Sequence, residues 1–528
     1  MSIRKTRPAP DFNGIGEAAA AITHREGDTL TYDCTLVTPM YGGGVKAGEV
    51  DTLMPIRATA IRGQLRFWWR LLNRKRFANS HGLFEAERAI WGGLGDETSL
   101  AKSKVRVSAA VNPGQQRNLQ PAATYTQRDG KVRGPDFGSY PGYALFPAQG
   151  KSERGQITED PKLLLKEGVT FSLKLHLDPG LDPDQHAQVL TALRWWASFG
   201  GVGARTRRGC GAVQVLDAKK QLIGVGEQDV AAQGWRLVLS GSNVSATEAW
   251  GNAIGHLRDF RQKPGIARNH GQGPRPGRSR WPEPDAIRRI TGDAAENHPP
   301  AHPAGNVFPR AAFGLPIITH FKQEKEWRQK DPQDTTLKPI AKGSDKPSER
   351  MASPLILRPY FDGKTWRPAV LCLDLDHIRD MGLSLEGKFR RAPHMINAGQ
   401  WQVGPKADQV EPMQGRGEDA IEAFLSYFSD QKKSAGATAS NPAKHQAQTR
   451  PTGATGVANV KLQLNLKNGS LEAKHIKSNK SYYARGADVE PLISSLPGAM
   501  QKELRDGRYV FCDIEVAGYD LIAVREKA

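Results

Sequence analysis

The sequence is short of cysteine, of acidic residues and of long apolar runs. Only Cys34, Cys210, Cys372 and Cys512 occur in 528 residues, and no two form a C-x-x-C pair. That spacing excludes a zinc ribbon or a disulfide framework and fits a reducing cytoplasm. No run reaches the roughly 18 apolar residues that a membrane span requires. The opening MSIRKTRPAPDFN has basic residues but no apolar stretch of signal-peptide length. Acid is scarce: 55 Asp and Glu against 74 Lys and Arg give a formal charge of +19 and a pI near 9.7. That balance points to a polyanionic partner. Nucleic acid fits better than an anionic membrane, because no long basic amphipathic stretch leads to a lipid anchor.

What is present suggests two to four domains, since about 100–200 residues make one. Fifty-five glycines and 35 prolines imply many turns and long loops. Leu30, Tyr32, Cys34 and Leu36 alternate with polar residues and predict a strand, which YGGG at 41–44 ends. A helix is predicted over about 59–77 and a short strand over 104–111. Residues 112–165 are turn-rich and basic and suggest an insertion. In VTFSLKLHLDPG (169–180), Phe171, Leu173, Leu175 and Leu177 again mark a strand. Asp182 and Pro183 then suit the N-cap and first residue of a helix that ends at Gly200. A glycine-arginine loop over 200–211 leads to a last short strand. This βαββαβ order defines an α+β, ferredoxin-like unit ending near 225.

From 226 to 528 the pattern predicts a second α+β domain with insertions near 263–305 and 432–456. Its elements are strands near 235–241 and 367–378, helices near 247–262 and 417–431, and late strands near 457–467 and 509–524. Residues 432–456 are low in complexity and read as a linker or insertion.

The helix at 59–77 carries the first candidate site. Ile61, Leu65, Trp68 and Leu72 share an apolar face. Arg62, Arg66 and Arg70 form an adjacent stripe, and no acid occurs from Thr52 to Phe84. No sequence neighbour offers an i,i+4 partner, so like charges repel unless a phosphate backbone lies along them. Gly63 costs about 1 kcal/mol inside a helix, which close approach of a ligand to the backbone would explain. Trp68, Trp195 and Trp196 read as core; Trp69, on the edge between stripes, is a candidate base-stacking residue.

The loop GGVGARTRRGCG carries the second. Gly200, Gly201, Gly203, Gly209 and Gly211 permit unusual backbone angles, and Arg205, Arg207 and Arg208 add an anion-binding surface. It lacks the G-K-[ST] ending of a Walker A loop. It also follows a helix and precedes a strand, the reverse of a dinucleotide fingerprint.

Together these pieces resemble the RAMP superfamily of CRISPR-associated proteins. PIRATAIRGQLRFWWRLLN (55–73) is similar to the first-helix signature of the family of first subunits of the Cmr (type III-B) effector complex. The loop at 200–213 matches in content and placement. GRSRWPEPDAIR (277–288), FGLPIITHF (313–321) and RMASPLILRPY (350–360) add second-half likeness. The resemblance implies two tandem RRM-like (RAMP) domains with long insertions. It also implies a role at one end of a backbone filament, near the 3′ end of guide RNA (crRNA), in capturing target RNA. Implied partners are guide RNA, target RNA and the other Cmr-complex backbone subunits, with no membrane, no small-molecule substrate, no cofactor and no metal. Carried over to this chain, the RNA-binding positions are Arg57, Arg62, Gly63, Arg66 and Arg70, then Gly201, Gly203, Arg205, Arg207, Arg208 and Gly209, with Arg278 and Arg280 in the second half.

No catalytic set stands out. His298 and His302 lie in HPPAHP, which prolines keep from being helical. Asp374 and Asp376 of LDLDH read as a solvated strand end. The implied role is therefore non-catalytic. The alternatives are a metal-independent endoribonuclease of the same superfamily that processes guide RNA, and a DNA-binding protein.

Overall fold

The computed structural model describes residues 28–95, 100–128, 131–271, 275–321, 330–435, 455–465, 470–475, 481–484, 489–517 and 520–526. The N-terminal stretch read for a signal, and all of the 432–456 linker except its two ends, lie outside them. The chain forms two compact units, residues 1–439 and 440–528.

In the first unit, strand β1 (Asp28–Leu36) leads to helices α1 (Ala58–Asn73) and α2 (Ser80–Trp91). Strands β2 (Val105–Val111) and β3 (Thr170–Leu177), helix α3 (Pro183–Phe199) and strand β4 (Val213–Leu216) follow. The sheet is antiparallel in the order β4-β1-β3-β2, with Tyr32 opposite Leu173 and Leu173 opposite Ala109. Apart from the extra helix α2, this is the strand-helix-strand-strand-helix-strand succession expected from the sequence.

Alternation decides which way the sheet faces. Tyr32, Cys34, Phe171, Leu173 and Leu175 are buried with the α1 and α3 residues Leu65, Trp68, Trp195 and Trp196 in one core. The Trp68 and Trp195 rings stack at 5.8 Å. Helix α3 starts where the sequence places it: the Asp182 carboxylate accepts from the Gln185 amide at 2.8 Å in a capping box, with Pro183 at the first position.

The segment 112–165 folds into small ribbons. Thr124–Arg128 pairs with Lys131–Asp136, and Lys151–Glu153 with Gln156–Glu159.

The second sheet uses strands β5 (Arg236–Leu239), β6 (Leu355–Phe361) and β7 (Trp366–Cys372) in the order β5-β7-β6. Helix α4 (Ala246–Gln262) follows β5, and helix α5 (Ala420–Ala435) comes after β7. Trp250, Phe260, Phe313, Phe424 and Phe428 fill their core. The expected boundary near 225 thus falls between two sheets of one compact unit. A further four-stranded antiparallel sheet joins Ile317–Thr319, Thr335–Ile340, Gly382–Gly387 and Met395–Gly399.

His256 on α4 packs edge-on to Phe428, ring centroids 5.2 Å apart. Burial pushes it down to about 4 from 6.5, against a weaker opposing pull from Asp259. The unfolded chain therefore binds more protons between those values. The contribution to stability is complete above pH 6.5 and is lost as pH falls toward 4. The whole effect is at most about 3 kcal/mol. His256→Leu should flatten the acid limb of a urea-midpoint-versus-pH curve; an unchanged limb would reject the assignment.

The late strands depart most from expectation. They do not complete the β5-β7-β6 sheet. Strands β8 (Thr455–Asn465), β9 (Ser470–His475), β10 (Ser481–Ala484), β11 (Tyr509–Ala517) and β12 (Asp520–Glu526) close into a barrel of their own. Its order is β8-β9-β10-β12-β11, with β11 pairing back to β8. Helices α6 (Val489–Ser494) and α7 (Gly498–Arg505) stand between β10 and β11 in the chain.

Candidate nucleic-acid interface

The arginine stripe of α1 is not unpaired. Glu87, on α2, is buried and reaches both Arg66 (Nε to Oε1, 2.6 Å) and Arg70 (Nη1 to Oε2, 3.3 Å). Arg62 donates to the Trp91 carbonyl, the last of α2, and to Ser103 Oγ at 3.4 Å. Burial pushes Arg62 down, Arg66 adds to this, and Glu87 opposes it. Further along, Arg74 pairs with Asp374 and Arg76 with Asp184 at 3.0 Å. So Asp374 is an ion-pair partner of the first half rather than a solvated strand end. The stripe clamps α2 onto α1, which corrects the expectation that its arginines are unpaired.

Trp69 is corrected as well. It is 1% exposed, and its indole N–H donates to Gln188 Oε1 at 2.8 Å. A base cannot stack on it without parting α1 from α3. Gly63 is exposed, and a Cβ there would meet nothing within 4 Å.

The loop 200–211 is packed rather than open. Its amides at Val202, Ala204 and Gly211 donate to the carbonyls of Gly211, Tyr41 and Pro39. A Cβ on Gly201 would lie 2.7 Å from the Gly211 oxygen. Gly203 (φ +78) would press Met40 Cγ and the Tyr41 oxygen at 2.6 Å. Two of the three arginines turn toward the second half. Arg207 donates to the Ser353 carbonyl and lies 5.6 Å from the Phe67 ring centre, and burial lowers its pKa. Arg208 reaches the Phe313 carbonyl at 3.4 Å. Burial, with Arg261 nearby, pushes it down to about 10. These two seam the halves together.

Arg278 and Arg280 are likewise engaged. Arg278 binds Asp285 at 2.9 Å and the Pro299 carbonyl at 2.9 Å. Arg280 holds Asn269 Oδ1 at 3.2 Å and the Gly265 carbonyl at 2.8 Å. Both brace the loop around Trp281, itself 1% exposed.

Two expected residues keep an open role. Gly43 (φ +96) lies against Gly203, a Cβ on it falling 3.2 Å from the Gly203 Cα, and Tyr41 bridges Ala204. This juxtaposes the glycine loops at 41–44 and 203–205. Arg57, just before α1, touches the Gly44 carbonyl with Nη2 at 3.4 Å. Arg205 follows in the left-handed region, φ 58. The Nε of each is shut from solvent with no hydrogen-bond partner among the described residues. Asp51 accepts from the Met54 and Leu53 amides and also feels Arg57, which together hold its carboxyl below the ordinary value. Guanidinium groups beside a glycine-lined backbone have the donors that an anion takes.

The open face of the first sheet has no Phe, Tyr or Trp: Thr29, Thr31, Ser172, Lys174, His176, Arg106 and Ser108 lie on it, with His176 its one ring among them. Sequence reasoning missed Glu87, Arg358 and the loop at 41–44 as parts of this region. YGGG was visible, but only as a break.

A family model described as the RAMP superfamily matches residues 33–214, a span holding the first sheet almost whole, both of its helices and the loop 200–211. The chain carries a RAMP-superfamily domain and resembles the CRISPR-associated members of that superfamily, as its helix and loop motifs led us to expect. More particularly, it is similar to the CRISPR system Cmr subunit Cmr1-2 of Pyrococcus furiosus: 23% identical over 195 residues, 36% of this chain and 97% of that one. Among solved structures, a chain of a Type IV-B CRISPR complex aligns at 15% identity, covering 38% of this chain and 94% of that one, with a TM-score of 0.25. Oligomeric Cmr4 from Pyrococcus furiosus aligns at 12% identity over 36% and 98%, with a TM-score of 0.20.

Proposed function

We propose that this chain is a non-catalytic RNA-binding subunit of a type III-B (Cmr) CRISPR effector complex. It contacts guide RNA near its 3′ end, helps capture target RNA and assembles with other Cmr backbone subunits in the cytoplasm. The sheets β4-β1-β3-β2 and β5-β7-β6, each with its two helices, are read as tandem RRM-like halves. The likeness to a Cmr subunit and the charge of +19 support this reading. Four buried, free cysteines suit a reducing compartment. No helix among the described residues is long and apolar enough to cross a membrane.

The observation that carries it is the pair Arg57 and Arg205, each with an Nε that has no hydrogen-bond partner among the described residues, beside juxtaposed glycine loops. Guanidinium and a close-approaching backbone suit ribose-phosphate, and they read charge and shape rather than base identity. Arg57→Gln and Arg205→Gln should each weaken single-stranded RNA binding equally across sequences. Each should also lower the slope of log K against log salt by roughly 0.7 for every phosphate that is no longer engaged. Arg66→Gln, whose side chain serves Glu87, should leave that slope unchanged. Fluorescence anisotropy over a salt series measures both. Sequence-selective losses, or no change of slope in either variant, would reject the site. Incubation with repeat-containing RNA separates the readings: retention without cutting is expected, and site-specific cuts would favour the guide-processing endoribonuclease.

A further inference from the structure

The C-terminal unit carries a second chemistry. Its barrel order, numbered from β8, is 1-2-3-5-4 and back to 1. Strands three and five meet in parallel, at Tyr483 and Asp520, while every other pairing is antiparallel. Helices α6 and α7 come between strands three and four. That combination is the oligonucleotide/oligosaccharide-binding (OB) barrel, a fold known to take oligonucleotides on the face of its strands two and three; the patch described next lies instead across strands four, one and two. Val460, Leu462, Leu471, Ala473, Cys512 and Ile514 close the interior.

The outer wall is unlike an ordinary solvated face. Tyr509 and Phe511, alternate residues of β11, stand 49% and 45% exposed. Their rings meet edge to face at 5.6 Å. Lys461, on β8, sits with Nζ 3.7 Å from the Tyr509 ring centre. Phe511 is registered opposite Lys461, which in turn is opposite Lys474 on β9. Like charges directly across a strand pair are destabilising unless an anion lies between them. The patch also has an edge: farther along β11, the outward Glu515 is taken by Arg525 at 2.6 Å, and Asp513 accepts from the Asn459 amide.

We infer that this wall binds a single-stranded polynucleotide. Bases stack on Tyr509 and Phe511, and phosphates lie over Lys461 and Lys474. Any base offers a π face, so the site tolerates sequence. The inference stands on the barrel alone and is independent of Arg57 and Arg205; residues 455–526 lie outside the family match at 33–214.

The test uses the full chain and an eight-nucleotide oligouridylate bearing 4-thiouridine. Photocrosslinking followed by peptide mass spectrometry should place adducts in the peptide containing Tyr509 and Phe511. In Tyr509→Ala/Phe511→Ala the barrel adduct should fall roughly tenfold or more, the loss expected for stacked bases. Lys461→Gln should lower it less and make its yield less sensitive to salt. The Arg57→Gln/Arg205→Gln double variant should leave the barrel adduct intact, so failure of one site does not mask the other. Absence of barrel adducts in the unaltered chain, or an undiminished yield in the aromatic double variant, would overturn the inference. Both aromatics are half exposed, so their replacement leaves the barrel core untouched.

Discussion

A chain with valine in place of Gly209 should lose about 3–5 kcal/mol of stability, much of it from the seam between its two sheets. Gly209 sits in the left-handed region at φ +77. There an L side chain costs about 1–2 kcal/mol. A Cβ would also stand 2.6 Å from Trp250 Cδ1 and 2.8 Å from the Leu357 carbonyl oxygen. The second contact is backbone and cannot swing aside, so overpacking adds roughly 1–3 kcal/mol. Two hydrogen bonds depend on the same placement. Thr38 Oγ1 donates to the Gly209 carbonyl at 2.6 Å, and Trp250 Nε1 donates to the Arg208 carbonyl at 2.6 Å. Urea unfolding measures the loss. Gly63→Ala is the contrast: nothing lies near its Cβ, the backbone is helical, and a gain of up to about 1 kcal/mol is expected. An unfolding midpoint for Gly209→Val equal to that of the parent would show that the seam tolerates a side chain.

Arg358→Met should cost a similar amount, about 3–5 kcal/mol. Arg358 is 3% exposed on β6 and has no carboxylate partner among the described residues. Its guanidinium instead satisfies three carbonyls: Gly200 at 2.8 Å, Val213 at 3.1 Å and Pro359 at 3.1 Å. Gly200 caps α3, so the cation faces the negative end of that helix dipole. Burial pushes Arg358 down to about 9, which still leaves it charged at neutral pH. Methionine fills much of the volume and donates to none of the three oxygens. Each stranded acceptor costs about 1–3 kcal/mol. Arg358→Lys should recover only part, because an ammonium cannot span the fork. If the methionine variant unfolds with the parent, those carbonyls find donors elsewhere and the clamp is not needed.

RMASPLILRPY was legible as a family segment, but it pointed to no role for Arg358, which serves the joint between sheets. Arg207, Arg208, Arg278 and Arg280, expected to meet RNA, are likewise engaged within the fold. Arginine content drew attention to these loops, yet burial and backbone acceptors decide what each guanidinium does. Glu87 makes the point most directly. It lies 17 residues from Arg70 and 21 from Arg66. A rule that inspects one helix turn cannot see a partner on the next helix. The barrel was hidden for a related reason. Alternation marked strands near 457–467 and 509–524, but closure comes from pairing Leu462 with Val510, a choice local periodicity does not express.

By itself the sequence determined the elements whose cause is local: the alternating strands of the first sheet, the Asp182–Pro183 start of α3, the apolar face of α1, and the net positive charge. Those depend on side-chain period and on backbone preferences within a few residues. Only tertiary structure decided which cations stay available. Acids elsewhere in the chain pair Arg66, Arg70 and Arg278, and backbone carbonyls hold Arg207, Arg208, Arg280 and Arg358, whereas Arg57 and Arg205 keep an Nε without a partner among the described residues and Lys461 lies over a ring of the barrel wall. Charge is a property of composition, whereas availability depends on which opposite groups folding brings within reach.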